Sequence, residues 1–98
     1  MKPLFIPLRR EYFTAFAEGR KTNEYRLYGP RWNERTCHPG RPVTLSLGYG
    51  KQHRLTATIE SFRASTDPLD ITPAFRACYP TAQNPQVAVL TLKLNTAA

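Results

Sequence analysis

A turn and the start of a strand are encoded by residues 19–26, GRKTNEYR, and this stretch decides how the chain is interpreted. Its opening glycine is typical of the position that follows a helix. The cation of Lys21 suits phosphate and carbonyl oxygens, Thr22 can donate or accept a hydrogen bond, and Glu24 can orient or deprotonate a ligand. The alternative is purely structural: a helix-ending glycine followed by a solvated strand with weak ion pairs.

The residues before this stretch have the patterns of a strand and a helix. Leu4–Leu8 predicts a short first strand, and Pro7 restricts it to an edge or a strand end because proline has no amide hydrogen to donate. Residues 10–18 predict a helix with one aromatic face, which we expect in the core. The aromatic residues of that face are Tyr12, Phe13 and Phe16.

The residues after the stretch predict more strands and one more helix. Residues 28–40 contain too many turn formers for regular structure, and a loop of this length is usually functional or mobile. Thr72 as N-cap and Pro73 at the first helical position predict a short helix. Further strands are predicted at Asn23–Leu27, 43–47, 54–62 and Val87–Leu94. We therefore expect a single α+β domain over residues 1–98: a small, partly closed β-barrel of about five strands with two short helices.

The positive charge is concentrated in the N-terminal half of the chain. The net charge is +7, and residues 9–54 hold ten of the fourteen basic side chains against four carboxylates. Such a field favours polyanionic partners, nucleic acid above all, although a charge of this size also serves solubility. Ten of the fourteen cations are arginines, whose planar fork suits phosphates and base edges.

Two cysteines and the apolar runs bear on the compartment of the protein. Cys37 and Cys78 are the two cysteines of the chain, and they do not indicate a disulfide-stabilised fold. Because the N-terminus also has no signal-like apolar stretch, we expect a cytoplasmic protein. No apolar run approaches membrane-spanning length, so no membrane partner is expected. The oligomeric state is left open by the sequence.

The stretch at 19–26 resembles the "G-x-K-T-x-E-x-R" signature of the ASCH domain family. The opening strand at residues 2–4, the helix-like residues 12–16 and the "P-G-x-x-V" segment at 39–43 are also similar to that family. The resemblance covers roughly the first half of the chain, and after Phe62 it depends on element order alone. It implies a PUA-like β-barrel and a role in binding RNA or modified nucleotides.

The resemblance also implies a hydrolase as an alternative. Some ASCH proteins resemble amidohydrolases that act on an acylated cytosine, such as N4-acylated cytidine, and others are reported as ribonucleases. The amidohydrolase branch places a threonine two residues after its Lys-Thr pair, whereas this chain has Glu24 there, so Thr22 is the only hydroxyl of the motif other than a phenol. The candidate catalytic residues are Lys21, Thr22 and Glu24, with Lys21 either a base or a fixed positive charge.

Aromatic and basic residues interleave around this motif in the pattern expected of single-stranded RNA binding. Rings can stack on unpaired bases while arginines contact the backbone. The predicted cleft is lined by Lys21, Thr22, Glu24, Arg26 and the loop at 28–40, although Tyr25 and Trp32 could instead fill the barrel. The candidate nucleic-acid-binding residues are Arg20, Arg26, Tyr28, Arg31, Trp32, Arg35, Tyr49, Lys51 and Arg54.

The sequence gives less support to metal binding and to protein binding. The adjacent Cys37 and His38, with His53 and Cys78 far away in the sequence, lack the spacing of a structural zinc site, so no metal and no cofactor is expected. A protein-interaction domain that meets an acidic partner through its basic face is a further alternative, and it predicts no aromatic contribution to binding. Binding of RNA or of a modified nucleoside is the function that the sequence favours.

Overall fold

Five strands and two short helices make up the computed structural model, which describes residues 2–95. The α+β class with about five strands and two short helices is thereby confirmed. A single 3-10 turn, Pro68–Asp70, precedes the second helix. In chain order the other elements are β1 (Leu4–Leu8), α1 (Arg10–Ala17), β2 (Asn23–Leu27), β3 (Pro42–Leu47), β4 (Arg54–Ser65), α2 (Pro73–Cys78) and β5 (Val87–Leu94).

The five strands form one mixed sheet that curves into a half-barrel, in the order β1-β3-β4-β5-β2. β1 is parallel to β3, and the other neighbours are antiparallel. The register of β4 against β5 shifts between Ile59 and Ser61, and such a bulge bends a strand. The two edge strands are β1 and β2, and a hydrogen bond from Arg26 Nη2 to the carbonyl oxygen of Pro7, 2.9 Å long, links them. Pro7 therefore lies on an edge strand, as predicted.

The core lies on the concave face of the sheet and is covered by α1. The alternation in β3 and β4 buries one face of each strand, including Leu45 and Ile59, as the sequence pattern requires. Phe16 of α1 is fully buried against them, while the other two aromatic residues of that helix are only partly buried. Gly19, with φ at 77°, ends the helix in the left-handed region that a side chain would disfavour.

A smaller second core holds α2 against the opposite face of β5, because the residues of β5 alternate between the two cores. Phe75 of α2 is buried with Val87 and Val89 of β5. As predicted, Thr72 caps this helix: its Oγ1 accepts a hydrogen bond from the backbone N–H of Phe75 at 3.1 Å. α2 is thereby fixed beside β2, and this position matters for the site.

Hydrogen bonds within the loop at 28–40 hold it against the core. The Asn33 side-chain amide donates to the carbonyl oxygen of Gly29 at 2.8 Å, and Thr36 Oγ1 donates to that of Arg31 at 2.8 Å. Cys37 is completely buried, and both cysteines are free thiols. Within residues 2–95, no helix is long and apolar enough to cross a membrane.

Candidate functional site

A cleft of about 540 Å³ opens between the two edge strands and α2. Its floor comes from the predicted motif, with Lys21, Glu24, Tyr25 and Arg26 on one side. The remaining walls are the end of β1, the turn after β3 and the inner face of α2. These walls contribute Pro7, Leu8, Arg9, Tyr12, Gly48, Tyr49, Thr72, Ala74, Phe75, Cys78 and Tyr79. A volume of this size is typical of small-molecule sites, which span roughly 300–1,000 Å³.

A carboxylate between two cations lies at the centre of the cleft. Glu24 is only 7% exposed, and its Oε2 accepts a hydrogen bond from Arg26 Nε at 2.8 Å. Its Oε1 lies 3.7 Å from Lys21 Nζ, which is an ion pair longer than a hydrogen bond. The β2 backbone explains the arrangement, because residues 24 and 26 share one face of a strand. Lys21 reaches the same face from the turn that precedes β2.

Lys21 is enclosed by aromatic rings as well as by the carboxylate. Its Nζ lies 5.7 Å from the ring centroid of Tyr12, 5.3 Å from that of Phe16 and 5.2 Å from that of Tyr25. Burial lowers the pKa of Lys21 below its ordinary value, and the neighbouring Glu24 carboxylate opposes part of that shift. The site therefore contains an amine whose positive charge is destabilised by lost hydration but supported by one carboxylate and three rings.

Trp32 lies in the core, where the sequence had placed it only as an alternative to base stacking. The residue is 6% exposed and belongs to the main hydrophobic cluster. The guanidinium of Arg26 lies 4.8 Å from the Trp32 ring centroid, and that of Arg31 lies 5.3 Å from it. Because its surface is covered in this way, the indole has no free face on which a base could stack.

Other residues of the predicted cleft lie elsewhere. Thr22 is exposed and lines a separate cavity of about 410 Å³ beside β5, not the main cleft. Arg20 is exposed and pairs with Glu18 at 2.7 Å. The loop at 28–40 contributes no residue to the main cleft among those that the structure describes. The structure thus brings Lys21 and Glu24 together in the main cleft, whereas Thr22 shares only the second cavity with Lys21.

The loop at 28–40 presents its polar residues on a different surface. The Tyr28 hydroxyl is hydrogen-bonded to the Glu34 carboxylate at 2.6 Å, which raises the pKa of the Tyr28 phenol and lowers that of Glu34. The Tyr28 ring also packs at 6.5 Å from the ring of Phe62. Arg31 and Arg35 are exposed. These residues form a basic surface outside the cleft.

The turn between β3 and β4 forms an exposed rim of the cleft. Tyr49 is 81% exposed, with its ring centroid 6.1 Å from that of Phe5. Lys51 and Arg54 follow it on the same turn and are both exposed, and the Arg54 guanidinium lies 5.4 Å from the Phe5 ring. Tyr49 therefore lines the cleft, whereas Lys51 and Arg54 lie on the adjacent exposed surface and are not among the residues that line it.

The residues of α2 that line the cleft were not predicted from the sequence. Thr72, Phe75 and Tyr79 line the cleft, and so does Tyr12 of α1, which the pattern had placed in the core. Thr72 and Pro73 predicted where α2 begins but not the strand against which it packs. Only an alignment or a structure could have provided that signal.

The fold and the site together define a small α+β half-barrel with a cleft at its open seam. The chain is similar to the crystal structure of hypothetical protein PH0355, with a TM-score of 0.69 and 15% sequence identity over 96% of this chain and 100% of that one. At this identity the likeness establishes the fold alone. No family model matches the chain, and no curated protein matches it.

Proposed function

We propose that this protein is an RNA- or modified-nucleotide-binding module of the ASCH type, with a PUA-like barrel and a ligand site in the main cleft. The observation that carries the proposal is the meeting of Lys21, Glu24 and Arg26 in a cleft of about 540 Å³ with aromatic walls. These three residues are the charged positions of the motif that resembles the ASCH signature.

The walls of the cleft suit a planar ligand. Tyr12, Tyr25, Tyr49 and Tyr79 all line it, and tyrosine rings stack on bases while their hydroxyls remain hydrogen-bonded to water or ligand. The rim at Lys51 and Arg54 adds positive charge next to Tyr49. Base stacking inside the cleft and phosphate contacts at the rim are the combination that single-stranded RNA requires.

Fluorescence anisotropy with labelled single-stranded RNA tests the proposal. Tyr49→Ala should weaken binding by about 1–3 kcal/mol if the ring stacks on a base. Lys51→Ala should weaken binding and reduce the slope of log affinity against log salt by about 0.7, the single-strand value for one phosphate contact. Lys93→Ala is the matched control, because Lys93 is an exposed cation on β5 outside the main cleft.

Two results would contradict RNA binding. One is a flat salt dependence. The other is equal affinity for acidic polypeptide and RNA with no effect of Tyr49→Ala, which would instead favour a protein-interaction domain that uses the basic face. Duplex DNA should bind less well than single-stranded RNA, because stacked bases cannot reach the tyrosines.

Hydrolysis is a second candidate, favoured by one observation: burial lowers the pKa of Lys21, and Glu24 lies 3.7 Å from it. A lysine with a lowered pKa can act as a base, whereas arginine cannot lose its proton near neutral pH. We would assay the wild type and Lys21→Arg for deacylation of N4-acylated cytidine and for cleavage of single-stranded RNA. Wild-type turnover that Lys21→Arg abolishes while RNA affinity persists would make this protein an enzyme. We expect no strong turnover, because the motif hydroxyl of Thr22 lies outside the cleft.

A further inference from the structure

The guanidinium in the cleft is already engaged by the protein itself. Arg26 donates from Nε to Glu24 at 2.8 Å and from Nη2 to the Pro7 carbonyl oxygen at 2.9 Å, and its plane lies 4.8 Å from the Trp32 ring. Because Nε and Nη2 are both used, a side-on bidentate contact with a phosphate through these two nitrogens would have to replace both hydrogen bonds. Arg26 therefore closes the seam of the half-barrel rather than providing an anion site.

The second cation shares the same carboxylate, so two cations face one negative charge. Lys21 Nζ lies near three aromatic rings and 3.7 Å from Glu24 Oε1. Because a buried carboxylate lies between the two cations, a phosphate placed beside Lys21 would also face the negative charge of Glu24. Like charges at such a distance repel strongly in a partly desolvated site. The floor of the cleft is thus a less favourable place for a phosphate than the exposed cations of the rim.

One oxygen of Glu24 remains available to a ligand. Oε2 is used by Arg26, whereas Oε1 accepts no hydrogen bond from residues 2–95 and has Lys21 Nζ at 3.7 Å as its ion-pair partner. No side-chain oxygen or nitrogen in that same part of the chain is both buried and without a hydrogen-bond partner. Oε1 therefore keeps contact with solvent, and since Glu24 lines the cleft, that contact opens into it. An ionised carboxylate oxygen accepts hydrogen bonds and has none to donate.

We infer that the cleft selects an uncharged, planar nitrogen heterocycle that donates an N–H to Glu24 Oε1, while the phosphates of the same ligand remain outside at Lys51 and Arg54. This inference rests on the proposed function, and it makes Glu24 the residue that determines specificity. The tyrosine rings stack on the faces of the heterocycle, and the carboxylate accepts a hydrogen bond from an N–H group at its edge. A base whose edge has only acceptors should bind poorly, because neither it nor Glu24 Oε1 has a hydrogen to donate to the other.

Matched nucleosides test the inference on the wild-type protein. We would titrate adenosine, N6-methyladenosine and N6,N6-dimethyladenosine, with the corresponding cytidine series methylated at N4, and follow the backbone amide resonances by NMR. The monomethyl compounds add bulk but keep one N–H, whereas the dimethyl compounds have none. In at least one series we expect the dimethyl compound to bind at least about tenfold more weakly than the monomethyl one, a factor that corresponds to about 1.4 kcal/mol. Millimolar inorganic phosphate and pyrophosphate should not displace the nucleoside.

Glu24→Gln provides an independent test. Its carbonyl oxygen must accept from Arg26 Nε, which turns the amide N–H₂ toward the cleft, so the preference for the N–H donor should disappear. Glu60→Gln is the matched control, because Glu60 is an exposed carboxylate on β4 outside the main cleft. Circular dichroism shows whether each variant is folded, and the wild-type nucleoside series decides the question if Glu24→Gln is not.

Three outcomes would overturn the inference. They are equal affinity for the mono- and dimethylated compounds in both series, displacement of the nucleoside by phosphate, and absence of any nucleoside binding. If single-stranded RNA still binds with dependence on Tyr49 in those cases, the proposed function survives and only the assignment to Glu24 fails. If RNA binding is also absent, both fail.

Discussion

Replacement of Trp32 by alanine shows whether this residue stabilises the core or stacks on a base. The side chain is 6% exposed, so the change removes an almost fully buried indole. Buried Trp→Ala changes cost about 3–5 kcal/mol through lost transfer free energy and the cavity that remains. The contacts of Arg26 and Arg31 with the ring, at 4.8 and 5.3 Å, are lost as well and add roughly 0.5–1 kcal/mol each. We therefore expect a loss in unfolding free energy of about 4 kcal/mol or more, a large share of the roughly 5–15 kcal/mol that holds a typical domain.

Urea unfolding followed by circular dichroism measures this loss, since the chain has one tryptophan and the variant has no indole fluorescence. Trp32→Phe, which keeps a ring, should lose much less stability and should retain RNA affinity. Tyr49→Ala is the contrasting variant: its side chain is 81% exposed, so its stability should change by about 0.5 kcal/mol at most.

Wild-type fluorescence gives a test that needs no substitution. Saturating single-stranded RNA should leave the Trp32 emission nearly unquenched, because the ring has no free face for a base. If Trp32→Ala instead lost less than about 1 kcal/mol of stability, the burial argument would be wrong. A tenfold loss of RNA affinity in that stable variant, with strong quenching in the wild type, would return Trp32 to the binding surface.

Two further predictions follow from the ionisable groups. Lys21→Met should leave the melting temperature unchanged or raise it, because the lysine charge is costly to bury and Glu24 keeps Arg26 as a partner. The same variant should bind RNA more weakly. A clear loss of stability in thermal unfolding would contradict the prediction. Asp70 is 7% exposed, and hydrogen bonds from Arg63 and Ser65 lower its pKa to about 2. The ionised Asp70 therefore contributes fully to stability above the unfolded-state pKa of about 3.9, and this contribution is lost as the pH falls toward 2. Asp70→Asn should be less stable than the wild type at neutral pH, and its free energy of unfolding should fall less than that of the wild type between about pH 4 and 2. Urea unfolding at several pH values measures this difference. An unchanged pH profile would contradict the prediction.

Local patterns predicted most of the elements because local chemistry determines them. Pro7 restricted β1 to an edge, Gly19 ended α1, and Thr72 with Pro73 began α2. The alternation of apolar and polar residues in β4 predicted its buried face, whereas in β3 the polar Ser46 is completely buried as well. β4 continued to Ser65, three residues beyond the predicted end at residue 62, because pairing with β5 extends past the bulge. That extension depends on a partner strand some 25 residues away, which no local pattern encodes.

The composition of the site depended on such distant contacts. Lys21, Glu24 and Arg26 are close in sequence, so the motif predicted their proximity. Which element completes the cleft beside them depended on how the second core packs, and the packing of Phe75 with Val87 and Val89 places α2 there. The ambiguity of Trp32 had the same origin, because a tryptophan between arginines suits either a core or a base, and only its surroundings distinguish the two.

The central claim is that the cleft between the edge strands and α2 binds an unpaired base of RNA. The most direct measurement is a backbone amide NMR titration of the ¹⁵N-labelled protein with a short single-stranded RNA. We predict that the largest shifts occur at Lys21, Glu24, Tyr49, Thr72 and Tyr79, which line the cleft from separate elements. Shifts confined to the loop at 28–40 or to the surface around Thr22, with the cleft unaffected, would contradict the claim, as would the absence of any shift at saturating RNA.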